Sequence, residues 1–263
     1  DYIVRKNSSN KYRIEETASL QGVYNINKGY AVFRRIEILD QNEEYAIVSK
    51  NTSYGLSRYD HIVKNADKVK EEDYVILPGD FSWAMYLKDT YKDFEYLEKL
   101  PGNKILLKGN HDYWWGGISK MDEYLKENNF SNINFLYNNA YLIENVLIVG
   151  TRGWNLTDSE ENEKMLNREC IRLKLSIDYG INKFGNDKEI IVFMHYPPIS
   201  KAGLSNGYTR KYIEILKEYG VKKCYYGHLH GSSHNEAIEG NVNGIEFYLV
   251  SSDYLNFNLV KVK

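Results

Sequence analysis

"KILLKGNHDYWWGG", residues 104–117, changes character halfway along. Lys104 to Lys108 is a short apolar run closed by Gly109, which reads as a buried strand. Just past its end stand an amide (Asn110), an imidazole (His111), a carboxylate (Asp112) and two tryptophans (Trp114 and Trp115). Such a cluster either caps a turn and packs a surface or holds a metal and a substrate. The second reading requires partners from elsewhere in the chain.

The same layout recurs. Asp73 to Leu77 is a short apolar run ended by Pro78-Gly79, followed by Asp80. Glu189 to Met194 predicts a buried strand that delivers His195, and Lys223 to Tyr226 predicts one that ends just before His228 and His230. Between these runs the apolar period changes to that of helices. Tyr91, Phe94, Leu97 and Leu100 form one stripe stopped by Pro101-Gly102. Further helices are predicted over Ser119 to Glu127, Glu160 to Tyr179 (with Leu166, Cys170, Leu173 and Ile177 on one face) and Thr209 to Tyr219. Strands are predicted near Ile133–Leu136 and Tyr141–Val149, and the tail reads as two strands, Ile245 to Ser251 and Tyr254 to Val262. Residues 1–50 are the least legible, with strands over Tyr30 to Leu39 and Glu44 to Val48. Arg58 to Lys70 predicts a helix with Ile62, Ala66 and Val69 on its apolar stripe. Alternating strands and helices with an all-strand tail predict a layered α/β fold with two packed sheets, in a single domain over residues 1–263.

Composition narrows the function classes. A chain of 263 residues, 43 % hydrophobic and 27 % charged, suits a globular protein with a sizeable core. A formal net charge of −2 gives no general reason for nucleic-acid or anionic-membrane binding. The only cysteines, Cys170 and Cys224, make no disulfide framework. No apolar run approaches the ~20 residues that span a bilayer, and the polar start, Asp1 to Asn10, lacks the layout of a signal peptide. A cytoplasmic protein is the simplest expectation.

In open α/β sheets the carboxyl ends of the strands border the crevice where ligands bind. Asp80, Asn110, His195, His228 and His230 all follow predicted strands, so one crevice accounts for them together. Carboxylate, amide oxygen and imidazole form a mixed donor set suited to a divalent first-row metal. Each residue alone also has a bland reading, His195 as a strand cap before Pro197-Pro198 and His228 as a satisfied buried histidine. Shared placement argues against it, because a crevice of polar groups without a common partner is costly.

Taken together, "LPGD" (77–80), "KGNHD" (108–112), "MHYPP" (194–198) and "YGHLHG" (226–231) resemble the calcineurin-like metallophosphoesterase superfamily. "SWAMYLKD", "GNHDYWW", "GTRGW" and "DYLNF" are similar to a bacterial subgroup of predicted phosphohydrolases. The resemblance implies a four-layer α/β/β/α sandwich with two packed mixed sheets and a metal crevice at the strand ends. It implies that Asp80 bridges two metals, that Asn110, His195 and His228 complete the ligands of one, and that His230 serves its neighbour. It also implies that His111 contacts the phosphate and protonates the departing oxygen, with Asp112 orienting it. The implied reaction is hydrolysis of a phosphomonoester or phosphodiester by metal-activated water, with Mn, Fe or Zn as the cofactor. Arg152, in "GTRGW", is either a bidentate phosphate contact or an arginine on a surface loop. Trp83, Trp114, Trp115 and Trp154 either offer a nucleotide-like leaving group a stacking face or wall the crevice and pack the core.

One motif departs from the pattern. Where the superfamily carries Asp-x-His after its first strand, "AIVSKNTSYG" offers Lys50 and Thr52. An ammonium repels a cation, and a neutral hydroxyl is a poor donor. A second register, in "ILDQN", offers Asp40 and Asn42. The expectation is therefore one metal held by Asp80, Asn110, His195 and His228. The alternative to an active hydrolase is a degenerate relative that binds one metal and a phosphate-like ligand with little turnover.

Overall fold

The computed structural model of the chain describes residues 2–4, 11–13, 22–27, 30–41, 46–49, 61–62, 70–157, 159–201, 204 and 207–262. The chain divides into two compact units, residues 1–63 and 64–263.

The described part of the first unit is built of short antiparallel pairings. β1 (Tyr2–Val4) pairs with β2 (Lys11–Arg13), β3 (Gly22–Asn27) with β4 (Tyr30–Arg35), and β5 (Ile38–Gln41) with β6 (Ala46–Val48). β7 (His61–Ile62) pairs antiparallel with β3, placing Ile62 opposite Asn25. This corrects the helix expected from Arg58 to Lys70 at these two positions. Pairing with β3 overrides the local three- and four-residue apolar spacing. Residues 63–69, like Lys50, Thr52 and Asn42, lie outside the described residues.

The second unit follows from strands buried on both faces. β8 (Tyr74–Leu77), β9 (Asn103–Leu107) and β10 (Ile133–Leu136) form a sheet in the order β10-β9-β8, and its described pairings are parallel. The larger sheet has the order β11-β12-β13-β14-β16-β15. Its central strands β12 (Val146–Thr151), β13 (Glu189–Met194), β14 (Lys223–Tyr226) and β16 (Ile245–Leu249) run parallel. Its edges, β11 (Tyr141–Ile143) and β15 (Gly240–Val242), are antiparallel. The apolar run from Tyr141 to Val149 is thus two strands, split by a turn in which Glu144 takes a positive φ of 54°.

Alternation of side chains sorts these strands into four layers. Ile105 and Leu107 of β9 face Val146 and Ile148 of β12 and Ile191 and Phe193 of β13, forming the core between the sheets. Leu106, Ile133 and Phe135 point the other way, onto α1 (Tyr91–Lys99) and α2 (Ile118–Glu127), where Phe94 and Met121 are fully buried. Leu147, Val149, Val192 and Met194 face α3 (Glu160–Phe184) and α4 (Tyr208–Glu218) through Leu166, Leu173, Ile177, Tyr212 and Leu216. Each large apolar side chain so buried contributes about 1.5–3 kcal/mol. α3 starts where the Ser159 hydroxyl accepts the Asn162 N–H and three glutamates occupy its first turn. No helix among the described residues is long and apolar enough to cross a membrane.

The tail differs from its expected form. β16 has the expected position, but Tyr254 to Val262 forms turns and irregular backbone instead of a strand. Asn256 and Phe257 take positive φ values of 49° and 57°, and the Leu255 and Phe257 amides bond back to Ser251 and Ser252. Neither feature is compatible with extended chain.

Register aligns the ends that matter. Thr151 of β12 is level with Met194 of β13, which is level with Tyr226 of β14. In the smaller sheet Leu77 of β8 is level with Leu106 of β9. The residues that follow these ends are Arg152, His195, Gly227, Pro78 and Leu107-Lys108.

Candidate metal centre

Two loops leave β8 and β9 side by side, and their closeness depends on glycine. Gly79 has φ +103°, and a Cβ on it would lie 2.4 Å from His195 Nδ1. A Cβ on Gly109 would lie 2.0 Å from Asp80 Oδ1. The loops are fastened by Asp112, which is almost fully buried. Its Oδ2 accepts the Asp80 and Gly109 N–H groups at 2.8 and 2.7 Å, and its Oδ1 accepts the Ser82 N–H at 3.1 Å. Ser82 extends the clamp: its carbonyl accepts the Trp114 indole N–H at 3.0 Å and its hydroxyl donates to Asp93 on α1. Burial raises the Asp112 pKa to about 6 against the opposing effect of the Gly109 and Ser82 amides.

Held this way, Asp80 adopts φ +58°, a conformation uncommon for a residue with a side chain. Its Oδ1 accepts the His111 N–H at 2.8 Å, and Oδ2 lies 3.5 Å from His195 Nε2. Asp80, His195 and His228 bring ligand atoms within 4.8 Å of one another. Asn110 Oδ1 stands among them, 2.7 Å from His195 Nε2 and 2.9 Å from His228 Nδ1.

The chemistry of these donors fits a cation. The Pro78 carbonyl lies 2.9 Å from His195 Nδ1, so the ring proton sits on Nδ1 and the Nε2 lone pair is left for the cluster. Burial pushes the His195 pKa down to about 4, which denies Nε2 a proton at neutral pH. Nε2 therefore faces an amide oxygen and a carboxylate oxygen, all three electron-rich. A positive charge among them turns that repulsion into attraction, and carboxylate, amide and imidazole are donors for a divalent first-row metal. Burial lowers the His228 pKa as well, opposed by the Asp80 carboxylate.

His230 is arranged differently. Its Nδ1 is 2.8 Å from Asp253 Oδ1, and its ring is more than half exposed. Asp253 Oδ2 accepts the Gly231 N–H at 2.8 Å and lies 3.2 Å from His234 Nε2. Burial would raise the Asp253 pKa, but the Gly231 amide and the His230 ring outweigh it and hold it at about 2. Asp253, part of "DYLNF", is a functional candidate without an assigned role in the sequence reading, since its partner lies 23 residues away. Asp40, of the second register, is exposed on β5 and accepts the Gln41 N–H at 2.9 Å.

The residues with expected catalytic roles separate. His111 sits at the edge of the cluster, its ring stacked on Trp83 with centroids 3.9 Å apart and planes 6° from parallel. Its Nδ1 is 3.3 Å from the Tyr113 hydroxyl. The Asp112 carboxylate goes to three backbone amides and not to the His111 ring, so it fastens the loop that carries His111 instead of orienting the imidazole. Arg152 lies with its guanidinium 4.5 Å from the Trp154 ring and Nη2 3.8 Å from Glu169 Oε1. Of the tryptophans, Trp114 and Trp115 are core, Trp154 donates its N–H to Asn162 at 2.9 Å, and Trp83 is 48 % exposed.

A family model described as calcineurin-like phosphoesterase matches residues 53–232, which span the loops carrying Asp80, Asn110, His111, Arg152, His195, His228 and His230. The chain belongs to that family. The mixed α/β architecture with several sheets agrees with the calcineurin-like phosphoesterase fold, and membership carries metal-dependent phosphoester hydrolysis as its general chemistry. No curated protein matches the chain. Among solved structures, the crystal structure of a protein of unknown function, AQ665 from Aquifex aeolicus, is similar at 18 % identity and a TM-score of 0.36. The match covers 73 % of this chain and 74 % of that one.

Proposed function

We propose that this phosphoesterase hydrolyses a phosphomonoester or phosphodiester using a divalent cation held by Asp80, Asn110, His195 and His228. The observation that carries the reading is the convergence of unprotonated donors: His195 Nε2 lies 2.7 Å from Asn110 Oδ1 and 3.5 Å from Asp80 Oδ2. A divalent cation in such a set supplies positive charge that acidifies water and offsets phosphoryl charge. The chain supplies orientation and protons. Asp80 keeps Oδ2 toward the cluster because the His111 amide occupies Oδ1. His111, with Nδ1 beside the Tyr113 hydroxyl, delivers a proton to the departing alkoxide from Nε2. Trp83 keeps the imidazole flat by stacking. His230 is the candidate for a neighbouring cation, with Asp253 fixing its ring and leaving Nε2 as the ligand atom.

A second reading is a relative that binds one cation and turns over little. It is favoured by His230, whose Nδ1 is already met by Asp253 at 2.8 Å, and by Lys50 and Thr52 where the resemblance leads one to expect Asp-x-His. Metal analysis of the purified chain, with assays on an aryl phosphate monoester and an aryl phosphate diester, separates the two. Bound Mn, Fe or Zn together with hydrolysis supports the first reading. One cation with negligible hydrolysis supports the second, and no cation at all sinks both.

A further inference from the structure

We propose that Trp83 forms the seat for the departing alcohol of the substrate, and that this alcohol carries a flat aromatic ring on the ester oxygen or one carbon from it. The proposal rests on the phosphoesterase reading and narrows its substrate to an aryl or arylmethyl phosphate ester.

Position comes first. In the hydrolysis the oxygen of water joins phosphorus, the ester P–O bond breaks, and the departing oxygen takes a proton from His111. The group carried by that oxygen therefore lies next to the imidazole. The Tyr113 hydroxyl stands at His111 Nδ1, so Nε2 is the atom that faces the departing oxygen. A proton leaves Nε2 in the plane of the ring. The Trp83 indole runs parallel to that plane, 6° off, at a centroid distance of 3.9 Å. A flat group that continues from the departing oxygen in the imidazole plane thus meets the indole at stacking distance. The indole is the larger of the two ring systems, and Trp83 remains 48 % exposed, so surface is left for such a group. A ring several bonds further out, as a base is on a sugar phosphate, need not meet it.

The character of the loop comes second. Phe81, Ala84 and Leu87 pack inward against the core under α1 and α2, while Trp83, Met85 and Tyr86 are exposed. No charged residue occurs from Phe81 to Leu87. Exposed apolar side chains gathered beside a reactive group mark the place of an apolar ligand. They offer little to a second phosphate or to sugar hydroxyls and much to a flat ring.

Rigidity comes third. The residue before Trp83 is tied to three elements: Ser82 donates its N–H to Asp112, its carbonyl accepts the Trp114 indole N–H, and its hydroxyl donates to Asp93. The Ala84 N–H, on the other side of Trp83, reaches the same hydroxyl at 3.4 Å. A large exposed side chain on so fixed a backbone is placed before any ligand arrives, and its binding costs little ordering.

Calorimetric titration of the Mn²⁺-supplied full chain with phosphonates, which cannot be hydrolysed, tests the seat without turnover. Benzylphosphonate should bind about three- to tenfold more tightly than cyclohexylmethylphosphonate, which matches it in size but is not flat. Trp83→Leu should bring that ratio close to one, and Trp83→Phe should leave it between the two. Methylphosphonate, with nothing to lay on the indole, should bind wild type and Trp83→Leu alike. The proposal is overturned if no phosphonate binds, if wild type does not distinguish the two rings, or if the ratio survives Trp83→Leu. An equal weakening of all three phosphonates by Trp83→Leu also overturns it, because Trp83 would then only support His111. Should Trp83→Leu fail to fold, an unchanged ratio in Trp83→Phe overturns it and a lowered one supports it. Failure of the chain to hydrolyse benzyl, phenyl or alkyl phosphates would sink the phosphoesterase reading and leave the titration result standing.

Discussion

Asp80, Asn110, His195 and His228 form one side of the candidate centre, and His230 with Asp253 forms the other. On the first side the donors are buried or half-buried, and the Pro78 carbonyl takes the proton on His195 Nδ1, so that Nε2 faces Asn110 Oδ1 and Asp80 Oδ2. On the second side an imidazole and a carboxylate already meet each other at 2.8 Å, in a more exposed setting. In the first set His195 Nε2 is left facing two oxygens, whereas the second set is nearly self-sufficient. Proximity of histidines and acids therefore does not by itself make a cation seat. What makes one is a scaffold that fixes a ring's proton on the far nitrogen and turns the bare one toward oxygens, as at His195.

That contrast breaks most forcefully at Asp112. Replacing it with alanine strips acceptors from the Gly109, Asp80 and Ser82 amides, each worth about 1–3 kcal/mol when left unsatisfied in a buried place. Asp112→Ala should therefore lose several kcal/mol in denaturant unfolding and lose bound metal as well. Asp253→Ala, on the more exposed side, should lose at most about 1 kcal/mol, as an exposed ion pair does. Equal stability losses for the two variants would show that the first side is not the preorganised one.

At Asp80 the expected effect is on the cation and the chemistry more than on the fold. Asp80→Asn should reduce both metal content and turnover. Its metal affinity should fall by more than the ~10–100-fold that follows loss of a group acting through a ligand. Asp253→Asn should stay within that smaller range, because Asp253 acts through His230. Unchanged metal content in Asp80→Asn would remove its assigned role.

His111 separates chemistry from binding. His111→Ala should lower turnover ~10²–10⁴-fold, the usual worth of a positioned acid, while metal content stays near wild type. A parallel loss of metal would make His111 part of the seat itself.

The strand ends were legible because parallel strands buried on both faces are short continuous apolar runs, as in Lys104 to Lys108 and Glu189 to Met194. Once those runs are placed in sheets, Asp80, Asn110, His195 and His228 have few other places to be. Contacts set by distant partners were not legible. Asp112 reads as an acid next to a histidine, and nothing in "GNHDYWW" announces that its acceptors go to the Ser82 and Asp80 amides some 30 residues earlier. The tail has the alternation of a strand, yet the Asp253 carboxylate is committed to Gly231 and the Tyr254 hydroxyl to Glu239 at 2.6 Å. Those ties fold the segment into turns. His61 and Ile62 sit in a stretch with helical spacing, but they find strand β3. Local period describes an element well only when no remote backbone competes for it.

The smallest expected effect lies behind the clamp, at Asp93. Burial raises its pKa above the ordinary carboxylate value, and the Ser82 hydroxyl bond opposes that shift only in part. In the interval between the ordinary value of 3.8 and the raised one, the folded chain holds a proton that the unfolded chain has released. Stability attributable to Asp93 is thus fully present at lower pH and declines as pH rises through that interval, then stays flat. Asp93→Asn keeps an oxygen for the Ser82 hydroxyl but has no proton to lose. Across an acid titration of unfolding free energy, the variant should gain on wild type as pH rises through the window and run parallel to it above. Parallel curves throughout would mean that Asp93 is not desolvated by α1 and the Ser82 loop, and that the clamp ends at Ser82.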